Sequence, residues 1–278
     1  MMEIPAGLLE ELGCASPDVQ PLSGGLLNRT LRVRDPSHDL VVRVPHADAA
    51  LLGVDHRAEF AIQRLAAAAG LAPAVVCARP ESGLLVTRFI QGHTLSREDL
   101  REEALLWRLG GWLARLHALP VPAGLAAVDI GARAAGFLAG LREGPDAATV
   151  SALAERLAVL RAGLDSPERL VPCHHDLHHL NLIDTGRELI ALDWEYAGPG
   201  DPAADVAACI GYHDLATAQV RVLLDGYGPG APAIAARLPA LREIFACLCQ
   251  GWALQAGRLG PPAPMAGATC ELPRPAPS

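Results

Sequence analysis

His174-His175-Asp176-Leu177-His178-His179-Leu180-Asn181, followed by Leu189-Ile190-Ala191-Leu192-Asp193-Trp194-Glu195, is the stretch around which the rest of the chain makes sense. A carboxylate and a carboxamide stand five residues apart in a polar segment. A short apolar run then delivers a second carboxylate seventeen positions after the first. Phosphoryl transfer needs such parts: one carboxylate orients or deprotonates the incoming hydroxyl, while an amide oxygen and a second carboxylate hold Mg²⁺ on nucleotide phosphates. The four histidines open a rival reading, a His/Asp metallohydrolase, because His174/His178 and His175/His179 have i,i+4 spacing. Against it, Leu177, Leu180 and Leu182 do not follow a helical period. The hydrolase reading also leaves Asn181 and the Asp193-Trp194-Glu195 run without a part.

Upstream, the first ninety residues read as strands. Val19 to Leu22 leads into the glycine turn Ser23-Gly24-Gly25-Leu26-Leu27-Asn28, then the alternating Thr30 to Arg34, the turn Asp35 to Asp39 and the strand Leu40 to Val44. A helix is expected from Asp55 to Ala69, closed by Gly70, with further strands at Pro73 to Ala78 and Leu84 to Phe89. Gln91-Gly92-His93 breaks the pattern. Beyond it, helices are expected at Glu98 to Leu119, Ala147 to Leu164, Ala203 to Leu215, Ala216 to Tyr227 and Ile234 to Gly257, with two short strands and a loop between Leu170 and Ala197. The expected organisation is an α+β chain of two lobes, residues 1–90 rich in strand and 91–259 mainly helical, with the cleft between them as the ligand site. The Pro-, Ala- and Gly-rich residues 260–278 read as a disordered tail.

Composition narrows the chemistry. Among 278 residues there is no lysine, which excludes a Walker A loop, a Schiff-base lysine and a Ser-Lys dyad. A net charge of −8 argues against a general nucleic-acid binder, which needs clustered positive charge. The seven cysteines lack the paired spacing of a structural zinc site. Residues Met1 to Leu12 do not read as a signal peptide, and no apolar run reaches the ~18 residues of a membrane span. A cytoplasmic protein with no membrane or nucleic-acid partner is the expectation; oligomeric state is not readable.

The pattern H-x-D-x-x-x-x-N followed by a strand ending D-W-E resembles the aminoglycoside phosphotransferase/choline kinase superfamily, which shares the protein-kinase fold. Asp193-Trp194-Glu195-Tyr196-Ala197-Gly198, with Gly200-Asp201-Pro202 and Asp205, is closest to bacterial choline kinases and thiamine kinases. Leu22 to Gly25 with Asn28-Arg29 is similar to the choline-kinase phosphate loop, and Val42-Arg43-Val44-Pro45 to the following strand. The resemblance, over roughly residues 20 to 210, implies a protein-kinase-like two-lobed fold and an ATP- and Mg²⁺-dependent kinase for a small molecule. Carried over by position, Asp176 is the catalytic base or hydroxyl-positioning group, and Asn181 and Asp193 are the metal ligands. Arg43 reaches the α/β-phosphates, Glu59 orients Arg43, and Ser23, Gly24, Gly25 and Asn28 cover the phosphates with backbone N–H groups. Arg88, Phe89 and Ile90 fall where the hinge meets adenine. Arginine can fork onto phosphate oxygens, so its replacement of lysine is chemically sound.

Each residue also has a plainer reading. Two glycines alone make a tight turn, and Arg43 and Glu59 alone are solvated surface charges. His174 is expected to brace the loop, and Asp205 either caps a helix or secures the catalytic loop. Trp107 and Trp112 are expected in the core. Glu195, Trp194, Tyr196 and Trp252, with Tyr212, are candidates for an acceptor site that holds a cationic choline/ethanolamine- or thiamine-type substrate through cation–π and charge attraction. Aminoglycosides, as polycations, are the alternative acceptors.

Overall fold

The computed structural model describes residues 4–22, 28–45, 54–141, 143 and 146–258. Five antiparallel strands, β1 (Asp18–Leu22), β2 (Asn28–Arg34), β3 (Asp39–Pro45), β4 (Val75–Arg79) and β5 (Leu84–Arg88), form one sheet in the order β1-β2-β3-β5-β4. Period-2 alternation sends Leu31, Val33, Leu40, Val42, Leu84 and Val86 to one face, where the short helix α1 (Leu8–Glu11) covers them with Leu8. Arg43 therefore points to the other face, toward helix α2 (His56–Ala68), whose start is fixed by Asp55 accepting from the Arg57 and Ala58 N–H groups. Gly70, at φ +73°, takes the left-handed turn that lets the chain leave α2.

The second half is helical around two small sheets. These comprise β7 (Val171–Cys173) with β10 (Gly198–Gly200), and β6 (His93–Thr94), β8 (Leu182–Asp184) and β9 (Leu189–Ala191). Helices α3 (Glu103–His117), α4 (Ile130–Ala139), α5 (Ala147–Ala162), α6 (Pro202–His213), α7 (Thr217–Tyr227) and α8 (Ala231–Arg258) enclose one large apolar core, which also takes in Ile62, Ala66 and Leu71 from the α2 region. No described helix is long and apolar enough to cross a membrane.

Three expectations need correction. The helix expected from Glu98 is split: Asp99–Arg101 is a 3₁₀ turn, Glu102 is extended, and α3 starts at Glu103. Helix α4 was not expected at all, because it is short and carries Gly131 and Gly136, residues that disfavour a helix. Trp112 is buried as expected, but Trp107 is 58% exposed. Its side chain is displaced because α3 and α7 cross backbone to backbone. A Cβ on Gly110 would lie 2.1 Å from the Leu223 carbonyl oxygen, and one on Gly226 would lie 2.1 Å from that of Trp107.

Gly110→Ala or Gly226→Ala is thus expected to lower stability by at least about 2 kcal/mol, read as a Tm drop of roughly 4 °C or more. Gly111→Ala, whose Cβ would sit 3.7 Å from the Gly226 oxygen, is the control that thermal unfolding should find neutral or slightly stabilised.

Candidate active site

The chain between β7 and β8 carries His174 to Asn181, and the chain leaving β9 carries Asp193 to Tyr196. The two segments are locked together: the Leu192 N–H donates to the Asn181 carbonyl at 2.8 Å, and His174 Nε2 lies 2.8 Å from the Leu192 carbonyl. His174 braces the loop, with its Nδ1 accepting from the Asp176 N–H at 3.3 Å. Two non-glycine residues are held at positive φ here, His175 at 63° and Asp193 at 57°. Both conformations carry a cost that the surrounding structure must over-determine, a pattern found at functional sites.

What holds His175 is Asp205, near the start of α6. Its carboxylate accepts from the His174 N–H at 2.9 Å and the His175 N–H at 2.7 Å, and lies 3.2 Å from His117 Nε2. His117 in turn meets the Tyr227 hydroxyl at 2.9 Å. Burial alone would raise the Asp205 carboxyl, but the His117 hydrogen bond and nearby imidazoles bring it down to about 2, so it is an anion. The helix cap is Asp201, which accepts from the Ala203 N–H. Of the two roles open for Asp205, securing the loop is the one it plays.

Asp176 receives the Tyr212 hydroxyl at 2.5 Å and the Asn181 amide at 3.3 Å, and the same amide donates to the Asp176 carbonyl at 2.9 Å. Burial pushes its carboxyl up to about 7, against the lowering effect of the Tyr212 hydrogen bond. That value suits a group exchanging a proton near neutrality. His178 stands 3.8 Å from Asp176 and edge-on to Tyr212, and burial depresses its imidazole to about 4, so it is neutral. Because the Asn181 amide nitrogen is committed to Asp176, its oxygen is left without a described partner.

Arg43 joins the sheet to this loop. Its guanidinium donates to Glu59, which is fully buried, and to Asp193 at 3.0 Å. Glu59 also meets His56 Nδ1 at 2.9 Å, a contact with no signal in the sequence. Asn28 at the start of β2 donates to Glu195 at 2.6 Å, and burial pushes the Glu195 carboxyl up to about 8. Asn28 Oδ1 and Arg43 Nε are buried without partners among the described residues. The orphaned Arg43 Nε–H, a donor on a forked guanidinium, suits a polyanionic nucleotide, whereas Asn28 Oδ1 is an acceptor and suits a donor or a cation. An amide oxygen on Asn181 and the outer oxygen of Asp193 are the hard donors that Mg²⁺ takes.

The rest of the expected site divides. Ser23, Gly24 and Gly25 lie outside the described residues, as does the tail 260–278. The Arg88 and Phe89 N–H groups are spent on the Ala74 and Asp39 carbonyls, which leaves Ile90 as the one hinge N–H of the three without a described partner. Trp194 is corrected: it is 0% exposed, its N–H donates to the Ala191 carbonyl, and its ring packs against His174 and Trp112, so it cannot face an acceptor. Tyr196 and Trp252 are half-buried, and Arg133 of α4 lies over the Tyr196 ring at 5.1 Å. Neither Tyr212 as a partner of Asp176 nor Arg133 was anticipated. The four loop histidines do not gather into a metal-binding group among the described residues.

A family model for phosphotransferase enzymes matches residues 18–239, a span that contains every element of this constellation. The chain belongs to the phosphotransferase enzyme family. A choline/ethanolamine kinase family protein from Mesorhizobium loti is similar at a TM-score of 0.72 and 25% identity, over 93% of this chain and 86% of that one. The choline kinase LicA from Streptococcus pneumoniae shares the fold at a TM-score of 0.73 and 18% identity over 91% of each chain, and LicA has also been solved with AMP. A thiamine kinase from Salmonella newport is 48% identical over 46 residues, 16% of this chain and 17% of that protein. The match thus spans about a sixth of the length of that curated relative. As a member of this phosphotransferase family, the chain has the kinase-like two-part fold that the resemblance implied.

Proposed function

We propose that this phosphotransferase moves the γ-phosphoryl group of ATP to the hydroxyl of a small metabolite of the choline/ethanolamine or thiamine type, in the cytoplasm. The observation that carries the reading is the setting of Asp176. It is a half-buried carboxylate gripped by Tyr212 and Asn181, on a loop locked by hydrogen bonds to the segment bearing Asp193, which Arg43 ties to the sheet. Residues 1–90 would bind the nucleotide, with Arg43 on its phosphates and Glu59 holding that guanidinium in place. Asn181 and Asp193 would hold Mg²⁺, whose charge offsets that of the phosphates when bound. Asp176 accepts the proton of the acceptor hydroxyl and aims its oxygen in line with the phosphorus.

Incubation with radiolabelled ATP, Mg²⁺ and choline, ethanolamine, thiamine, homoserine or kanamycin tests this. Label is expected in an amino-alcohol or thiamine product and to vanish with EDTA. Transfer to kanamycin alone would move the acceptor class to aminoglycosides. Label in no product would remove the proposed acceptors.

A further inference from the structure

Arg133 was invisible to sequence reasoning, yet its position is unusual for a cation. Helix α4 begins on Asp129, whose carboxylate would be the natural partner for an arginine one turn on. That carboxylate is already engaged by the Gly131 and Ala132 N–H groups and by Arg161 at 2.9 Å. Arg133 instead extends over the ring of Tyr196, its guanidinium carbon 5.1 Å from the centroid, and is half-buried there. Arg32, Arg79, Arg108 and Arg237 are half-buried too, and each holds a carboxylate. Arg133 has neither an ion pair nor a hydrogen bond among the described residues. Arg97 is the other half-buried arginine in that state, and its charge acts on His178, as that of Arg133 acts on Asp176. Leaving a partly desolvated guanidinium unpaired forfeits charge-assisted hydrogen bonds that ordinarily offset its burial.

We infer that Arg133, seated on the Tyr196 ring, forms an anion subsite in the acceptor half of the cleft, and that the acceptor carries a carboxylate or phosphate in addition to the hydroxyl that is phosphorylated. The inference rests on the phosphotransfer reading and revises its acceptor: choline, ethanolamine and thiamine carry no such anion, so the acceptor is a small hydroxyl compound that bears one. A guanidinium stacked on an aromatic face keeps its in-plane N–H fork free, the geometry that a carboxylate or phosphate matches with two hydrogen bonds. The Tyr196 face that would otherwise take a substrate ammonium is occupied by Arg133. Tyr196 follows Asp193-Trp194-Glu195 directly, so the subsite borders the reacting centre.

Matched acceptors that differ by one anionic group test it: ethanolamine against serine, 3-aminopropanol against homoserine, and glycerol against glycerol 3-phosphate. In at least one pair the anionic member is expected to show a kcat/KM at least ~10-fold higher, as a charged hydrogen-bonded contact implies. The first two pairs against the third separate carboxylate from phosphate. Arg133→Gln should raise KM for the preferred anionic member by roughly 10- to 100-fold with kcat little changed, and leave its anion-free twin within about 2-fold. Arg133→Lys should recover part of the loss. Equal kcat/KM within every pair, transfer confined to anion-free acceptors, or an equal effect of Arg133→Gln on both members would overturn the inference while phosphotransfer stands. If no compound is phosphorylated, the proposed acceptors fall on their own account, and binding still decides the subsite. Saturable quenching of tryptophan fluorescence by homoserine or glycerol 3-phosphate, lost in Arg133→Gln, supports it; identical titrations of the two proteins overturn it.

Discussion

Asp176→Asn is expected to lower kcat by about 10³- to 10⁴-fold while ATP binds within a factor of about two of the wild-type affinity. The amide keeps the volume, its oxygen can accept from Asn181 while its NH2 donates to the Tyr212 hydroxyl, and the Asn181 amide keeps its bond to the backbone carbonyl of residue 176, so the loop has no reason to move. What it cannot do is take a proton from the acceptor. Rapid-quench measurement of the phosphorylated product, together with calorimetric titration of nucleotide, checks both halves. Surviving turnover would mean that Asp176 has been given the wrong part.

The same substitution has a second signature, in stability. The Asp176 carboxyl is raised from its ordinary 3.8 to about 7, chiefly by burial. Between those values the folded protein binds a proton that the unfolded chain does not, so this group's contribution to stability falls as pH rises from about 4 to 7 and is level above. Asparagine carries no such dependence. The nucleotide-free Asp176→Asn protein should therefore match the wild type near pH 4 and gain on it up to pH 7. The gain at pH 8, of order 1–3 kcal/mol, should appear as a Tm higher by several degrees. A site that is less active and more stable when one carboxylate is neutralised has the thermodynamic mark of function bought with stability. A flat difference across this pH range would show that the carboxyl titrates normally.

Arg43→Ala carries the other large expected effect. Its guanidinium is the sole described link between the fully buried Glu59 and Asp193, the latter 150 residues beyond Arg43. Removing it leaves Glu59 with only His56, whose imidazole burial depresses, so charge compensation from that side is weak. An uncompensated buried carboxylate should cost about 3–5 kcal/mol in urea unfolding. Nucleotide affinity should fall by ~10- to 100-fold with the loss of charge-assisted contacts to phosphate. The double variant Arg43→Ala/Glu59→Gln separates the two effects: stability should be recovered in large part, affinity should not. Recovery of both would make Arg43 a structural ion-pair partner only.

Much of this was legible from the chain as a string. Period-2 runs gave β2, β3 and β5, and 3.6-residue periods with Asp55 and Gly70 at the ends gave α2 to within a residue. Spacing marked Asp176, Asn181 and Asp193 because a phosphoryl-transfer site needs those donors wherever the fold brings them. Three kinds of fact were not legible. Helix α4 escaped because it is short and its two glycines disfavour a helix, and with it went Arg133. Trp107 was misplaced because amphipathic period says which residues share a face, and not how closely a partner helix will approach. Trp194 was misjudged because an aromatic residue beside a catalytic segment reads the same whether it lines the cleft or props the strand from beneath.

What the sequence determined by itself is the inventory and the local order: a lysine-free chain with two carboxylates and a carboxamide, the parts phosphoryl transfer uses, on one short loop and the strand that follows. Local order depends on neighbours a few residues apart, and those are written in the chain. Tertiary structure alone decided the electrostatic state of that inventory. Burial raises Asp176 to about 7 and Glu195 to about 8, Asp205 stays ionised at about 2 to hold the loop, and Arg133 is left without a described partner. A residue's charge in a folded protein is set by the dielectric and the partners around it, and these come from segments tens to hundreds of positions away.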